Sequence, residues 1–181
     1  MLLTSTGFDN KKFFKIVKGM LEYKKPVKEC KVLFIPTADK KKESVKACLK
    51  EILTLGISKD NIESNDCDLN TLVYKDYDMI YVTGGDENYL IDKINSSNFR
   101  KYLLKLINTG VLYVGVSAGS YICGNMVDRP NQSLKLFNYI IEPHQNNDHC
   151  NNGKINPING IVNLSDMQAI LVNNGQVRVV G

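Results

Sequence analysis

The stretch Leu112-Tyr113-Val114-Gly115-Val116-Ser117-Ala118-Gly119 runs from residues of strand character straight into the pattern G-x-S-x-G. After a buried strand, the two glycines of this pattern remove side chains that would clash at a sharp strand-to-helix turn, so the serine hydroxyl is lifted to the C-terminal edge of the sheet. The N–H that follows the serine then points to where an oxyanion would form. Ser117 is thus the candidate nucleophile, and Ala118 carries a candidate oxyanion donor. A tight turn with a capping serine is the competing reading, and the strand in front of the motif favours the nucleophile. Gly84-Gly85 also follows a strand-like run, Met79 to Thr83, and precedes a helical segment beginning near Asn88. Both glycine turns then share one sheet edge, where open parallel sheets bind ligands, and the N–H of Gly85 is placed to be the second oxyanion donor. Asp86 can serve as a simple helix cap at the same turn. The patterns of phosphate-binding glycine loops are absent.

A serine nucleophile needs a base at neutral pH, and the chain has two histidines, His144 and His149. His144 follows the apolar run Phe137 to Ile141 and Pro143, which puts it at a strand end. His149 lies in the polar segment Asn146 to Gly153, where a histidine is ordinarily solvated, so His144 is preferred. Two carboxylates are candidates to orient it. Asp128 stands in Val127-Asp128-Arg129-Pro130, where a turn aspartate paired with Arg129 is the alternative, and Glu142 stands two residues before His144, on the same face of a strand. His144, His149 and Cys150 lack the second clustered pair of a zinc site, so no metal is expected.

These residues need a scaffold. Met1 to Thr4, Lys31 to Ile35, Met79 to Thr83 and Leu112 to Val116 read as buried strands. Between them, Phe13, Phe14, Val17, Met20 and Leu21, then Val45, Cys48, Leu49, Ile52 and Leu53, then Phe99, Tyr102, Leu103, Leu106 and Ile107 recur at helical spacing. Asn108-Thr109-Gly110 stops the last of these. Ala169 to Val172 and Gln176 to Val180 read as two strands around an Asn-Gly turn. The alternation predicts an α/β three-layer sandwich with a mostly parallel central sheet.

The 181 residues suit one domain, 1–181, without an internal linker or repeat, and 43% hydrophobic with 23% charged residues describes an ordinary globular chain. The net charge of +4 comes from lysines on helix-like stretches, Lys11, Lys12, Lys15, Lys18 and Lys40 to Lys42, which read as solvated faces, so no nucleic-acid partner is expected. No apolar run approaches the ~18 residues that span a bilayer, and Met1-Leu2-Leu3 leads directly into Thr4-Ser5-Thr6-Gly7 without the charged region and long apolar segment of a signal peptide, so none is expected. Five scattered cysteines without a C-x-x-C pair read as reduced thiols. A cytoplasmic protein without a membrane partner is expected.

Several patterns together resemble one family, peptidase E (the aspartyl dipeptidases), and more distantly the cyanophycinases. They are Leu2-Leu3-Thr4-Ser5-Thr6-Gly7-Phe8, Phe34-Ile35-Pro36-Thr37-Ala38, Val82-Thr83-Gly84-Gly85-Asp86, Gly115 to Ser120, Ile141-Glu142-Pro143-His144 and Leu164-Ser165-Asp166-Met167-Gln168-Ala169-Ile170, in that order over nearly the whole chain. The resemblance implies a fold like that of flavodoxin and the class I glutamine amidotransferases, although the latter use cysteine where this chain has Ser117. It implies Ser117 as nucleophile, His144 as base, Gly85 and Ala118 as oxyanion donors and Asp128 as third member. It further implies, without cofactor, either a small peptide substrate cut after an N-terminal aspartate or an aspartyl-arginine polymer; a monomer or homodimer is expected. Arg129 would attract the aspartyl side chain, and Asp86 or Glu87 the free amino end. Relatives often continue past the position of Gly181, so a terminal element is expected to be missing. An esterase, or a binding homologue without turnover, would use the same pocket.

Overall fold

A computed structural model describes residues 1–8, 10–74, 76–129, 131–146, 150, 155, 160–173 and 175–181. Its elements follow in the order β1 (Leu2–Thr4), α1 (Lys11–Glu22), β2 (Val32–Ile35), α2 (Lys42–Thr54), β3 (Ile62–Ser64), β4 (Met79–Val82), α3 (Glu87–Asn95), α4 (Phe99–Asn108), β5 (Leu112–Val116), the single turn α5 (Ala118–Tyr121), β6 (Ile140–Glu142), β7 (Ile161–Asn163), β8 (Ala169–Asn173) and β9 (Gln176–Val180). Seven strands form the central sheet in the order β3-β2-β4-β5-β1-β8-β9. The first five are mutually parallel, and β8 and β9 run antiparallel to their neighbours.

Strand alternation divides the core into two layers. Leu2, Val32, Phe34, Met79, Tyr81 and Val114 face one way and pack with Phe13, Val17 and Leu21 of α1 and Ile52 of α2. Leu3, Leu33, Ile35, Ile80, Val82 and Tyr113 face the other way, onto Leu90, Ile91 and Ile94 of α3 and Phe99, Leu103 and Leu106 of α4. Both faces of the parallel strands are covered, which is why these segments read as unbroken apolar runs. Each fully buried side chain of this size contributes roughly 1.5–3 kcal/mol of hydrophobic stabilisation. The three-layer α/β architecture is the one expected.

Departures from expectation are local. β3 and β7 are three residues each, too short for a periodicity to show. On α2, Leu53 is exposed while Glu51 is buried, because Glu51 finds hydrogen-bond donors inside that outweigh its polarity. The hairpin joins β8 and β9 with Asn173 opposite Gln176. His149, Asn174 and most of the segment 146–153 lie outside the described residues. Among the described residues no helix is long and apolar enough to cross a membrane.

Two features of the topology build one edge. β4, β5 and β1 are adjacent and parallel, with Val82 opposite Gly115 and Thr4 opposite Val116, so Gly84-Gly85, Ser117 and Ser5-Thr6 leave the sheet side by side. β8 is antiparallel to β1 and sets Ala169 opposite Thr4. Its N-terminal end therefore brings the preceding segment, with Asp166, to the same edge.

Candidate active site

Ser117 occupies a left-handed backbone conformation, φ 47° and ψ −107°, which a non-glycine residue holds only when its surroundings over-determine it. They do so here. Its N–H donates to Thr4 O at 2.9 Å, Ser120 Oγ lies 2.8 Å from both Thr4 O and Gly115 O, and the buried Tyr113 hydroxyl donates to Gly119 O at 2.7 Å. A Cβ on Gly119 would stand 2.5 Å from Val82 O, so only glycine lets the turn pack against β4. The G-x-S-x-G spacing is thereby explained by close approach of backbones.

His144 Nε2 lies 3.0 Å from Ser117 Oγ, and His144 Nδ1 lies 2.7 Å from Asp166 Oδ1. A carboxylate can only accept, so the Nδ1–H donates to Asp166 and Nε2 is left to accept the serine proton. This is the arrangement in which an imidazole acts as a general base on a hydroxyl. The small parallel pair β6–β7 produces it. Glu142 stands opposite Asn163, and Pro143-His144 and Leu164-Ser165-Asp166 leave that pair together. Ser5 and Thr6, at the end of β1, tie both exits down. His144 N–H donates to Ser5 Oγ at 3.2 Å, Ser5 Oγ lies 3.2 and 3.1 Å from Leu164 O and Ser165 O, and Thr6 Oγ1 donates to Asp166 O at 3.0 Å. His144 is itself left-handed, at φ 61°.

The partner of the imidazole is thus Asp166, and the expectation that Asp128 or Glu142 would orient it is corrected. Asp128 is exposed on the segment after α5. Glu142 sits on β6, where burial first and the charge of Glu87 second raise its carboxyl above the ordinary range. Asp166 was visible in the sequence, within Leu164-Ser165-Asp166-Met167, but nothing local marked it as facing His144.

Gly85, at φ 130°, passes so close to the loop after β2 that a Cβ would meet Ala38 O at 2.1 Å. The N–H groups of Gly85 and Ala118 make no hydrogen bond with another described residue, which leaves them available to a ligand. Asp86 is the N-cap of α3 and accepts Tyr89 N–H at 2.9 Å, so its carboxylate already has a structural task. Arg129 pairs with Asp92 of α3 and also donates to Gln132 Oε1 at 3.2 Å. This pairing holds the segment after α5 against α3. Glu87 begins α3 and approaches Glu142. Beneath the elbow, Cys123 Sγ donates to Gly119 O at 3.3 Å, and burial pushes this thiol up to about 12, so it is no rival nucleophile.

The raised Glu142 carboxyl has a measurable consequence. A carboxyl raised in the fold contributes stability below its unfolded pKa of about 4.3 and loses it as pH rises through the folded value. Glu142→Gln is therefore expected to unfold at a higher temperature than the parent at pH 7, with the difference closing towards pH 4. Thermal unfolding followed by circular dichroism across that range checks it; an equal offset at both ends would contradict it.

A serine on a strained elbow, at the C-terminal edge of a mostly parallel sheet and with an imidazole on its hydroxyl, defines a serine hydrolase of the α/β class. The chain belongs to peptidase family S51, whose family model matches residues 1–180, and it is a serine peptidase. It is 28% identical over 196 aligned residues to an uncharacterized peptidase of Listeria innocua, covering 91% of each chain. It is 29% identical to an uncharacterized peptidase of Listeria monocytogenes over 75% of each. Among solved structures it is similar to a provisionally assigned peptidase E protein of Listeria monocytogenes EGD-e, with a TM-score of 0.70, 23% identity and coverage of 99% of this chain and 96% of that one. A peptidase from an acI-B1 Actinobacterium gives a TM-score of 0.73 at 18% identity, covering 99% and 86%. At such identities the structural likeness is one of fold.

Proposed function

We propose that this serine peptidase is a dipeptidase preferring N-terminal aspartate, with Ser117, His144 and Asp166 as its catalytic line. The observation that carries the reading is the unbroken hydrogen-bonded path from Asp166 through both ring nitrogens of His144 to Ser117 Oγ. Ser117 attacks the amide carbonyl while His144 Nε2 takes its proton, and the imidazolium is stabilised by Asp166. The oxyanion accepts hydrogen bonds from the N–H groups of Gly85 and Ala118. His144 returns the proton to the leaving amine, and water, activated by the same ring, releases the acyl-enzyme.

Glu87 and Glu142, one just after the oxyanion turn and one just before His144, give the rim negative charge. An α-ammonium group is favoured there and would offset both the burial and, secondarily, the Glu87 charge that raise Glu142. The aspartyl side chain must then lie on the other side of the site, away from both carboxylates. The aspartate preference itself is supported by the ordered motifs shared with peptidase E. The odd number of free cysteines supports a reducing cytoplasmic setting.

Profiling purified protein against a dipeptide library, with a matched aspartyl ester alongside, tests the reading. Aspartyl dipeptides are expected to exceed alanyl and lysyl ones by at least about tenfold in kcat/KM, and acetylating the amino end should abolish the advantage. A fluorophosphonate should label Ser117. Labelling without aspartate preference would overturn the substrate, turnover of the ester alone would make it an esterase, and absence of labelling in folded protein would overturn the catalytic line.

A further inference from the structure

We propose that Glu51, on the far side of α2 from solvent, is a positioning residue for His144 and Asp166; this rests on the catalytic reading above. Glu51 is the polar residue on the buried face of α2, 8% exposed. Its Oε1 accepts Phe8 N–H at 2.6 Å, and its Oε2 accepts the hydroxyl of the fully buried Tyr81 on β4. The carboxylate also fills the space beside Gly7, where a Cβ would stand 2.7 and 2.8 Å from its two oxygens. A carboxylate is placed in a core only where donors compensate its desolvation. Here the donors belong to the turn Ser5–Phe8 and to β4, two strands away in the sheet.

That same turn holds the two catalytic loops. Gly7 N–H closes it on Thr4 Oγ1 at 2.8 Å, Ser5 Oγ takes the backbone N–H of His144, and Thr6 Oγ1 donates to the backbone carbonyl of Asp166. The side chains of His144 and Asp166 are 50% and 59% exposed. With half of each in solvent, packing alone cannot define their positions, and the backbone tethers must do so. Thr6, Cys48, Glu51 and Tyr81 border a solvent-open pocket of about 310 Å³, while Ser5, Gly7 and Phe8 are buried and the Phe8 ring packs edge-on against Tyr81, so the turn is fixed by packing and by its hydrogen bonds to Glu51 together. Glu51 is therefore the fixed end of a path that runs through Phe8 and Gly7 to Ser5 and Thr6, and from there to the imidazole and its carboxylate.

The test compares Glu51→Ala, Glu51→Gln and Thr6→Val with the parent enzyme. Glu51→Ala is expected to lower kcat by roughly tenfold or more, the scale at which small misplacements act, with KM changed less than about twofold because the substrate-contacting groups remain. Glu51→Gln should recover most of kcat, since its amide oxygen can accept Phe8 N–H and the Tyr81 hydroxyl can turn to accept from its NH₂. Thr6→Val, at an exposed position, should lower kcat several-fold in the same way. A readout independent of turnover is the His144 Nδ1–H proton resonance, identified by its loss in His144→Asn. It should move or broaden in Glu51→Ala and return in Glu51→Gln. Folded Glu51→Ala with parental kcat and an unmoved resonance would overturn the proposal, as would Thr6→Val with parental kcat should Glu51→Ala fail to fold. A parent enzyme that neither turns over nor is labelled would overturn the catalytic reading instead, while the resonance would still decide the role of Glu51.

Discussion

Ser117→Ala is expected to lower kcat on an aspartyl dipeptide by about 10⁶-fold, the loss typical of removing the nucleophile from a serine–histidine unit whose members act together. The residual rate should still exceed the uncatalysed one, because the oxyanion donors at Gly85 and Ala118 survive the change. Stability should barely move. The hydroxyl is lost from a partly exposed pair, and alanine inherits the same left-handed backbone at φ 47°. Ser117→Gly separates the two effects. Glycine adopts this conformation without strain, so the variant should be equally inactive yet more stable, by part of the roughly 1–3 kcal/mol that such a conformation costs. Single-turnover kinetics and thermal unfolding of the two variants check this. Retained hydrolysis in Ser117→Ala would remove the serine from the mechanism.

Asp166→Asn is expected to cost about 10³-fold in kcat. Neutralising a buried triad aspartate costs roughly 10⁴, since the amide admits the wrong imidazole tautomer and no longer stabilises the imidazolium. The value here should be smaller because Asp166 is 59% exposed, and water already screens part of its charge from the ring. Asp128→Asn, on the exposed segment after α5, should stay within about twofold of the parent. The pair of variants is decisive because both remove one carboxylate of similar exposure and one charge. If Asp128→Asn proved the damaging change, the segment between Ser117 and His144 would have to rearrange before catalysis, and the geometry seen here would not be the working one.

The comparison of Asp128 with Asp166 shows where reading along the chain runs out. Asp128 lies between Ser117 and His144 in Val127-Asp128-Arg129-Pro130, and the resemblance implies it as the third member. Asp166 is 22 residues beyond His144, past β7, a strand of three residues that leaves no periodic trace. What brings it back is the short parallel pairing of β6 with β7 and the antiparallel entry of β8 beside β1. Arg129 likewise finds a partner that its sequence neighbours do not reveal. The fold turns its guanidinium onto Asp92. Glu51 reverses the pattern: helical periodicity assigned the buried face of α2 to Leu53, whereas Tyr81 and Phe8 draw the carboxylate inward and Leu53 remains 39% exposed.

What the sequence determined by itself is the set of features whose physics is short-range. These are the alternation of apolar strands with amphipathic helices, the glycines that two close-packed backbones require, and the elbow on which Ser117 stands. A residue and its neighbours within a turn or a strand carry enough information for each of them. Which histidine face meets the serine, which carboxylate meets the histidine, and which charges are already paired were decided only by tertiary structure. They depend on strand order and direction, and these follow from burying both faces of the sheet at once, a condition that no single segment of the chain contains.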